Sequence, residues 1–184
     1  MNSGESSYRR YLAGDKSGFD EIIELYHDGL ISFLKRYVIS EQDAEDIAAD
    51  TFLEMLIHPS RYSFKSSLKT YIFSVARHKA IDYARKHRRE LFPEEWDEAV
   101  FSESNDGPDA HIEQSEKQKE ISNAMSKINS EYREILYLIY FEGLSGDDVS
   151  RVMNKNKKQT ANLLYRAKAA LKNELMKGGY SYDE

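Results

Sequence analysis

The stretch LSGDDVSRVMNKNKKQTANLLYRAKAALKNEL, residues 144–175, leaves few folds open. Ser145 stands where an N-cap is needed and Asp148 follows three residues on, so Val149, Val152 and Met153 fall on one face of a short helix over 145–153. The chain must then turn sharply at Asn154, and asparagine enters the left-handed conformation more readily than any residue except glycine. A longer helix over 156–177 lines Thr160, Leu164, Ala167, Leu171 and Leu175 along one side. Lys155, Lys158, Gln159, Asn162, Arg166 and Ala169 fall on the other. Two helices joined by such a turn make a helix-turn-helix. Its open face combines bases, which neutralise phosphates, with amides and a guanidinium, which carry the paired groups that read base edges in a major groove.

Helical periodicity extends through the rest of the chain, with no run of strand alternation. Residues 16–38 repeat Phe19, Ile22, Ile23, Tyr26, Leu30, Phe33, Leu34 and Tyr37 at intervals of three and four. A second helix starts at the Ser40 cap, with Asp43 completing a capping box, and stops before Pro59. The third, over 67–88, buries Leu68, Tyr71, Ile72, Val75, Ala76 and Tyr83 and leaves a basic outer side. Periodicity then fails across 90–112, where Pro93, Gly107 and Pro108 mark a linker. Beyond it lie a helix over 115–128 and another, capped by Ser130, that runs to Gly143. The expected fold is all-α: two small helical domains, 1–89 and 115–177, joined by an acidic flexible linker, 90–114, with a tail over 178–184.

Charge is segregated along these segments. The formal net charge is -6, yet residues 61–89 hold 9 bases and 1 acid, 151–177 hold 8 and 1, and 90–120 hold 2 and 11. A solvated helix face mixes both signs, so two basic segments fit two contacts with a polyanion. The absence of cysteine excludes disulfides and thiolate metal sites. The N-terminus lacks the apolar core of a signal peptide, and the longest apolar run, ILYLIYF, is too short to cross a bilayer. A cytoplasmic chain without membrane insertion is the expectation.

Three motifs, in order and at matching separation, resemble one family. DAEDIAADTFLEML, FKSSLKTYIFSVARHKAIDYARKHRR and EGLSGDDVSRVMNKNKKQTANLLYRAKAAL are similar to the region 2 and region 4 helices of the extracytoplasmic-function sigma factors of bacterial RNA polymerase. The resemblance covers about residues 15–89 and 115–177. It implies a promoter-specificity subunit with no catalysis and no cofactor of its own. Region 2 would dock on the β′ clamp coiled coil of core polymerase and open the -10 element; region 4 would lie at the β flap and bind the -35 element. It also implies an anti-sigma factor as a regulatory partner, and association with the nucleoid within the holoenzyme.

Carried onto this chain, the -35 positions fall on Ala161, Asn162, Tyr165 and Arg166. Helix geometry also favours Asn162 and Arg166 and adds Lys158 and Gln159 near the helix start. For the -10 element, Tyr62 and Phe64 supply rings for unstacked bases, and Lys65, Lys69, Arg77, His78, Lys79 and Arg85 supply polar and basic groups alongside. Phe64 occupies the family's loop aromatic position, whereas Tyr71, as a stripe residue, is expected in the core. Asp43, Asp46, Asp50 and Leu53 form the stripe that would meet polymerase; Asp43 alternatively serves only as a cap. The linker either threads a basic polymerase channel or acts as a solubilising tether.

Two other classes stand beside this reading. An autonomous helix-turn-helix regulator would bind duplex DNA as a dimer. A helical metal-dependent nucleotide hydrolase would gather Glu21, Glu24, Glu45, Asp46 and Asp50 around Mg²⁺. The spacing of those carboxylates is poor, and the five histidines form no ligand pair.

Overall fold

A computed structural model describes residues 3–38, 40–91 and 116–178. Among the described residues eight α-helices follow in order: α1 Ser3–Leu12, α2 Ser17–Leu34, α3 Glu41–Ile57, α4 Leu68–Leu91, α5 Glu116–Ser126, α6 Ser130–Tyr140, α7 Gly146–Val152 and α8 Lys157–Lys177. A 3-10 turn, Pro59–Arg61, lies between α3 and α4. Helices α1–α4 belong to one compact unit; α5, α6, α8 and α7 as far as Ser150 belong to a second. The expected linker falls almost wholly on residues outside those described, as does the tail beyond Gly178.

In the first unit, the three-four repeat of α2 becomes its buried face: Phe19, Ile22, Tyr26, Leu30, Phe33 and Leu34 are all buried. Phe33 meets Phe73 of α4 at 5.2 Å between ring centroids, and Phe19 meets Phe52 of α3 edge-on at 6.4 Å. Helix α3 starts as expected. Ser40 Oγ accepts from the Asp43 amide at 3.1 Å and donates to the Asp43 carboxylate at 2.5 Å. Its inner side, Ala44, Ile47, Ala48, Phe52 and Met55, is buried together with Thr51, whose hydroxyl bonds back to the Ile47 carbonyl at 2.7 Å.

Helix α1 was not expected from periodicity, because ten residues rich in serine and arginine offer too little apolar repeat to hold a helix alone. Tertiary contacts hold it. Tyr8 is fully buried. Ser7 Oγ donates to Glu21 at 2.7 Å, and Arg10 reaches both Glu21 at 3.0 Å and Asp15 at 2.9 Å. These bonds hold the Glu21 carboxyl below its ordinary range, the Ser7 hydroxyl contributing most. Gly18 permits the close approach: a Cβ there would stand 2.3 Å from the Ser7 carbonyl oxygen.

In the second unit, Ile135, Leu136, Leu138 and Val149 form a core to which α8 contributes Leu163, Ala167 and Leu175, with Leu164 only half-buried. Asn129, not Ser130, caps α6: its Oδ1 accepts from the Tyr132 amide at 2.8 Å. An amide oxygen and a serine hydroxyl do this equally well, so adjacent candidates shift the start by one residue. Gly143 ends the segment with φ of 65°. The turn reading holds throughout: Ser145 accepts from the Asp148 amide at 3.2 Å, and Asn154 adopts φ of 53°. Buried Ser150 donates to Thr160 Oγ1 at 3.0 Å, tying the end of α7 to the first turn of α8.

Candidate nucleic-acid interface

Three surfaces carry the residues singled out in the sequence. The first is the open face of α8. Asn156 caps this helix by accepting from the Gln159 amide at 2.8 Å, while Gln159 Oε1 accepts from the Asn156 amide at 2.9 Å. Gln159 Oε1 thus already accepts one bond within this reciprocal cap, while its Nε2 stays available to donate. Lys158, Ala161, Asn162 and Arg166 are exposed, and Tyr165 is 77% exposed, while Thr160, Leu163 and Ala167 on the other side are buried. Asn162 and Arg166, four residues apart, lie one above the other. Two lysines nearby are paired: Lys157 with Asp147 and Lys155 with Glu131, both at 2.7 Å.

The second surface is the 62–67 loop with the start of α4. Phe64 sits here with φ of 59°, a conformation that costs a bulky residue about 1–3 kcal/mol and persists only where its surroundings enforce it. The ring is half-buried, 4.5 Å from the Tyr62 ring and 6.2 Å from the Tyr8 ring, with the Arg9 guanidinium 4.1 Å over its centroid. Tyr62 is corrected as a stacking ring. It is 4% exposed, packs against Tyr8, Phe64 and Tyr71, and donates its hydroxyl to the Ser66 carbonyl at 2.8 Å. Burial pushes the Tyr62 and Tyr8 hydroxyls up to about 12, so both stay protonated donors. Tyr71 packs against Tyr62 in a tilted arrangement, 5.2 Å between centroids, and belongs to this cluster.

The basic residues of this surface differ in freedom. Lys65, His78 and Arg85 are exposed, whereas Lys69 and Arg77 are half-buried, Lys69 lying 5.7 Å over the Phe73 ring. His78 donates from Nδ1 to the Ser74 carbonyl at 2.8 Å. Lys79 lies 3.9 Å from Glu54, which also pairs with Arg61, so part of its charge is balanced within the fold.

The third surface is the outer stripe of α3. Asp46 and Asp50 are exposed and Leu53 is 49% exposed. The stripe continues through Ile57, 59% exposed, with Leu56 beside it. Acidic side chains are thus followed along this face by exposed apolar ones. Asp43 stands apart. Half-buried, it is held below its ordinary range first by the Ser40 hydroxyl, with Tyr83 also bonded to it, so its carboxylate serves the cap and the α3–α4 contact.

Sequence reasoning missed Tyr8, Arg9, Leu56 and Ile57. The signal for the first two was SYRRYL, where Tyr8, Tyr11 and Leu12 recur at three and four. For the last two it was the spacing Asp46, Asp50, Leu53, Ile57 along one helix face. The carboxylates considered for a metal site do not assemble: Glu21 is bonded to Ser7 and Arg10, and among the described residues no group of three or more His, Asp or Glu side chains could hold an ion. Among those residues no helix is long and apolar enough to cross a membrane.

Comparison with known proteins identifies the family. The Sigma-70 region 2 family model matches residues 22–90, and the Sigma-70 region 4 model matches residues 118–171. The ECF RNA polymerase sigma factor SigM of Bacillus subtilis (strain 168) is 31% identical over 153 residues, 83% of this chain and 92% of that protein. The sigma factor RpoE, solved with the anti-sigma factor NepR from Bartonella quintana, shares the fold with a TM-score of 0.68 and 23% identity, over 86% of this chain and 96% of that one. CnrH, solved with the cytosolic domain of CnrY, gives 0.66 and 16%, over 95% and 97%. The chain belongs to the extracytoplasmic-function sigma factors of the sigma-70 family, the RNA polymerase subunits that direct transcription initiation at specific promoters.

Proposed function

We propose that residues 1–89 bind core polymerase and open the -10 element, that residues 115–177 read the -35 element, and that the acidic linker joins the two. The chain acts in the cytoplasm, on the nucleoid once in holoenzyme, and has no catalysis of its own. The observation that carries this reading is α8, a helix capped at its start, buried along Thr160, Leu163 and Ala167, and open along Asn162, Tyr165 and Arg166. That is the form of a recognition helix, whose leading turns enter the major groove. Run-off transcription with bacterial core polymerase tests it: initiation at discrete sites is expected, and specific duplex binding by the chain alone, without initiation, would overturn it.

Strand opening is assigned to Phe64. An unstacked base gains about 1–3 kcal/mol on an aromatic ring. Since Arg9 and Tyr62 already occupy part of the Phe64 surface, Phe64→Ala is expected near the low end, about 1 kcal/mol. Open-complex formation on duplex promoters should slow by that amount, while a template with a pre-melted -10 bubble restores the wild-type rate.

The α3 stripe is assigned to the β′ clamp coiled coil. Reversing Asp46 and Asp50 to lysine is expected to weaken core binding about tenfold in a competition assay, since exposed charge pairs contribute up to about 1 kcal/mol each and the reversal adds repulsion. Helical content should not change, because both side chains face outward. Regulation is assigned to an anti-sigma factor that covers these surfaces, since RpoE was solved with the anti-sigma factor NepR and CnrH with the cytosolic domain of CnrY.

A further inference from the structure

Helix α1 lies before the residues matched by the region 2 family model, which begin at Ile22. Its contacts nevertheless run to the 59–67 loop. Tyr8 donates its hydroxyl to the Pro59 carbonyl at 3.2 Å, its ring meets those of Tyr62 at 5.5 Å and Phe64 at 6.2 Å, and Arg9 lies 4.1 Å over the Phe64 ring. The helix cannot drift from this position, because Ser7 and Arg10 fasten it to Glu21 and the Gly18 backbone packs against the Ser7 carbonyl.

From this arrangement we infer that Arg9 is a positioning residue for promoter opening, acting through Phe64. The left-handed φ of Phe64 turns its ring away from the path an extended loop would give it, and a guanidinium 4.1 Å over its centroid restrains the ring's tilt. A fixed ring presents its remaining surface to an unstacked base without first losing rotamer freedom. Arginine suits this place better than lysine, being planar and weakly hydrated enough to stack. The inference rests on the assignment of Phe64 as the opening contact.

The test uses full-length chain in holoenzyme and separates closed-complex affinity from the rate of isomerisation to open complex. Arg9→Ala is expected to slow isomerisation by about 2- to 5-fold, the range of a cation–π contact at an exposed site and no more than the loss of Phe64 itself. Closed-complex affinity should change less, a pre-melted template should restore the rate, and Arg9→Lys should fall between Arg9→Ala and wild type. The distinguishing measurement is the double variant: in a Phe64→Ala background, Arg9→Ala should add nothing. Equal slowing in both backgrounds, or an undiminished rate for Arg9→Ala alone, would overturn the positioning role. If Phe64→Ala itself leaves isomerisation unchanged, the underlying assignment of Phe64 fails instead. Arg9 lies on the exposed side of α1, so thermal unfolding of Arg9→Ala should match wild type; a large loss of stability would likewise count against a role confined to the ring.

Discussion

Replacing Tyr8 with alanine is expected to destabilise the first helical unit by about 3–5 kcal/mol, the cost of truncating a fully buried aromatic side chain. The ring touches Tyr11, Tyr62 and Phe64 within 5.9, 5.5 and 6.2 Å, and its hydroxyl bonds the Pro59 carbonyl, so its removal leaves a cavity at the point where α1 meets the 59–67 loop. Tyr8→Phe isolates the hydroxyl and should cost about 1 kcal/mol, since the Pro59 carbonyl loses a neutral donor at 3.2 Å. Urea denaturation of the full chain followed by circular dichroism reads both. A loss below about 1 kcal/mol for Tyr8→Ala would mean that the site closes without penalty and that α1 adds little to the core. The expected loss would establish that the loop bearing Phe64 is held from the N-terminal side as well as by α4.

Most of the fold could be read from spacing and caps because those signals are local. Ser40 with Asp43, Ser145 with Asp148, and Asn154 in the turn each declare a helix boundary through a side chain that bonds or bends its own backbone within a few residues. The outward stripe of Asp46, Asp50 and Leu53 followed from the same helical period that buried Ala44, Ile47 and Met55. Helix α1 escaped for the opposite reason. Its stability resides in Glu21, Tyr62 and Pro59, residues distant in sequence, so its own ten residues carry little evidence of it.

The candidate sites divide along the same line. Tyr62 and Phe64 are both loop aromatics two residues apart, and composition offers nothing to rank them. The hydroxyl bond to Ser66 and the packing of Tyr8 and Tyr71 draw Tyr62 inward, while the left-handed turn at Phe64 leaves its ring half-open. Gln159 likewise has the right chemistry for adenine and the right place near a helix start. That place is also where a capping box needs an amide, and the backbone takes one bond to its Oε1. Residue type proposes a contact; whether the groups are already engaged decides it.

Arg166 shows what remains when such internal claims are removed, and it separates base reading from charge. The residue is exposed on α8, one turn beyond exposed Asn162 and next to Tyr165, in a helix whose first turn is fixed by the Asn156–Gln159 cap. Arg166→Ala is expected to change which -35 sequences are preferred, with about 1–3 kcal/mol lost at the base pair it contacts through a bidentate bond. Lys172 lies six residues further along, roughly 9 Å of helix rise, where a helix entering the groove by its leading turns is passing back toward the backbone. Lys172→Ala should therefore weaken all sequences alike and lower the salt dependence of binding by about one counterion. A randomised -35 library transcribed by holoenzymes carrying each variant distinguishes the two outcomes. A preference profile for Arg166→Ala that coincides with wild type would remove it from base recognition and leave the positive face of α8 as a clamp on phosphates.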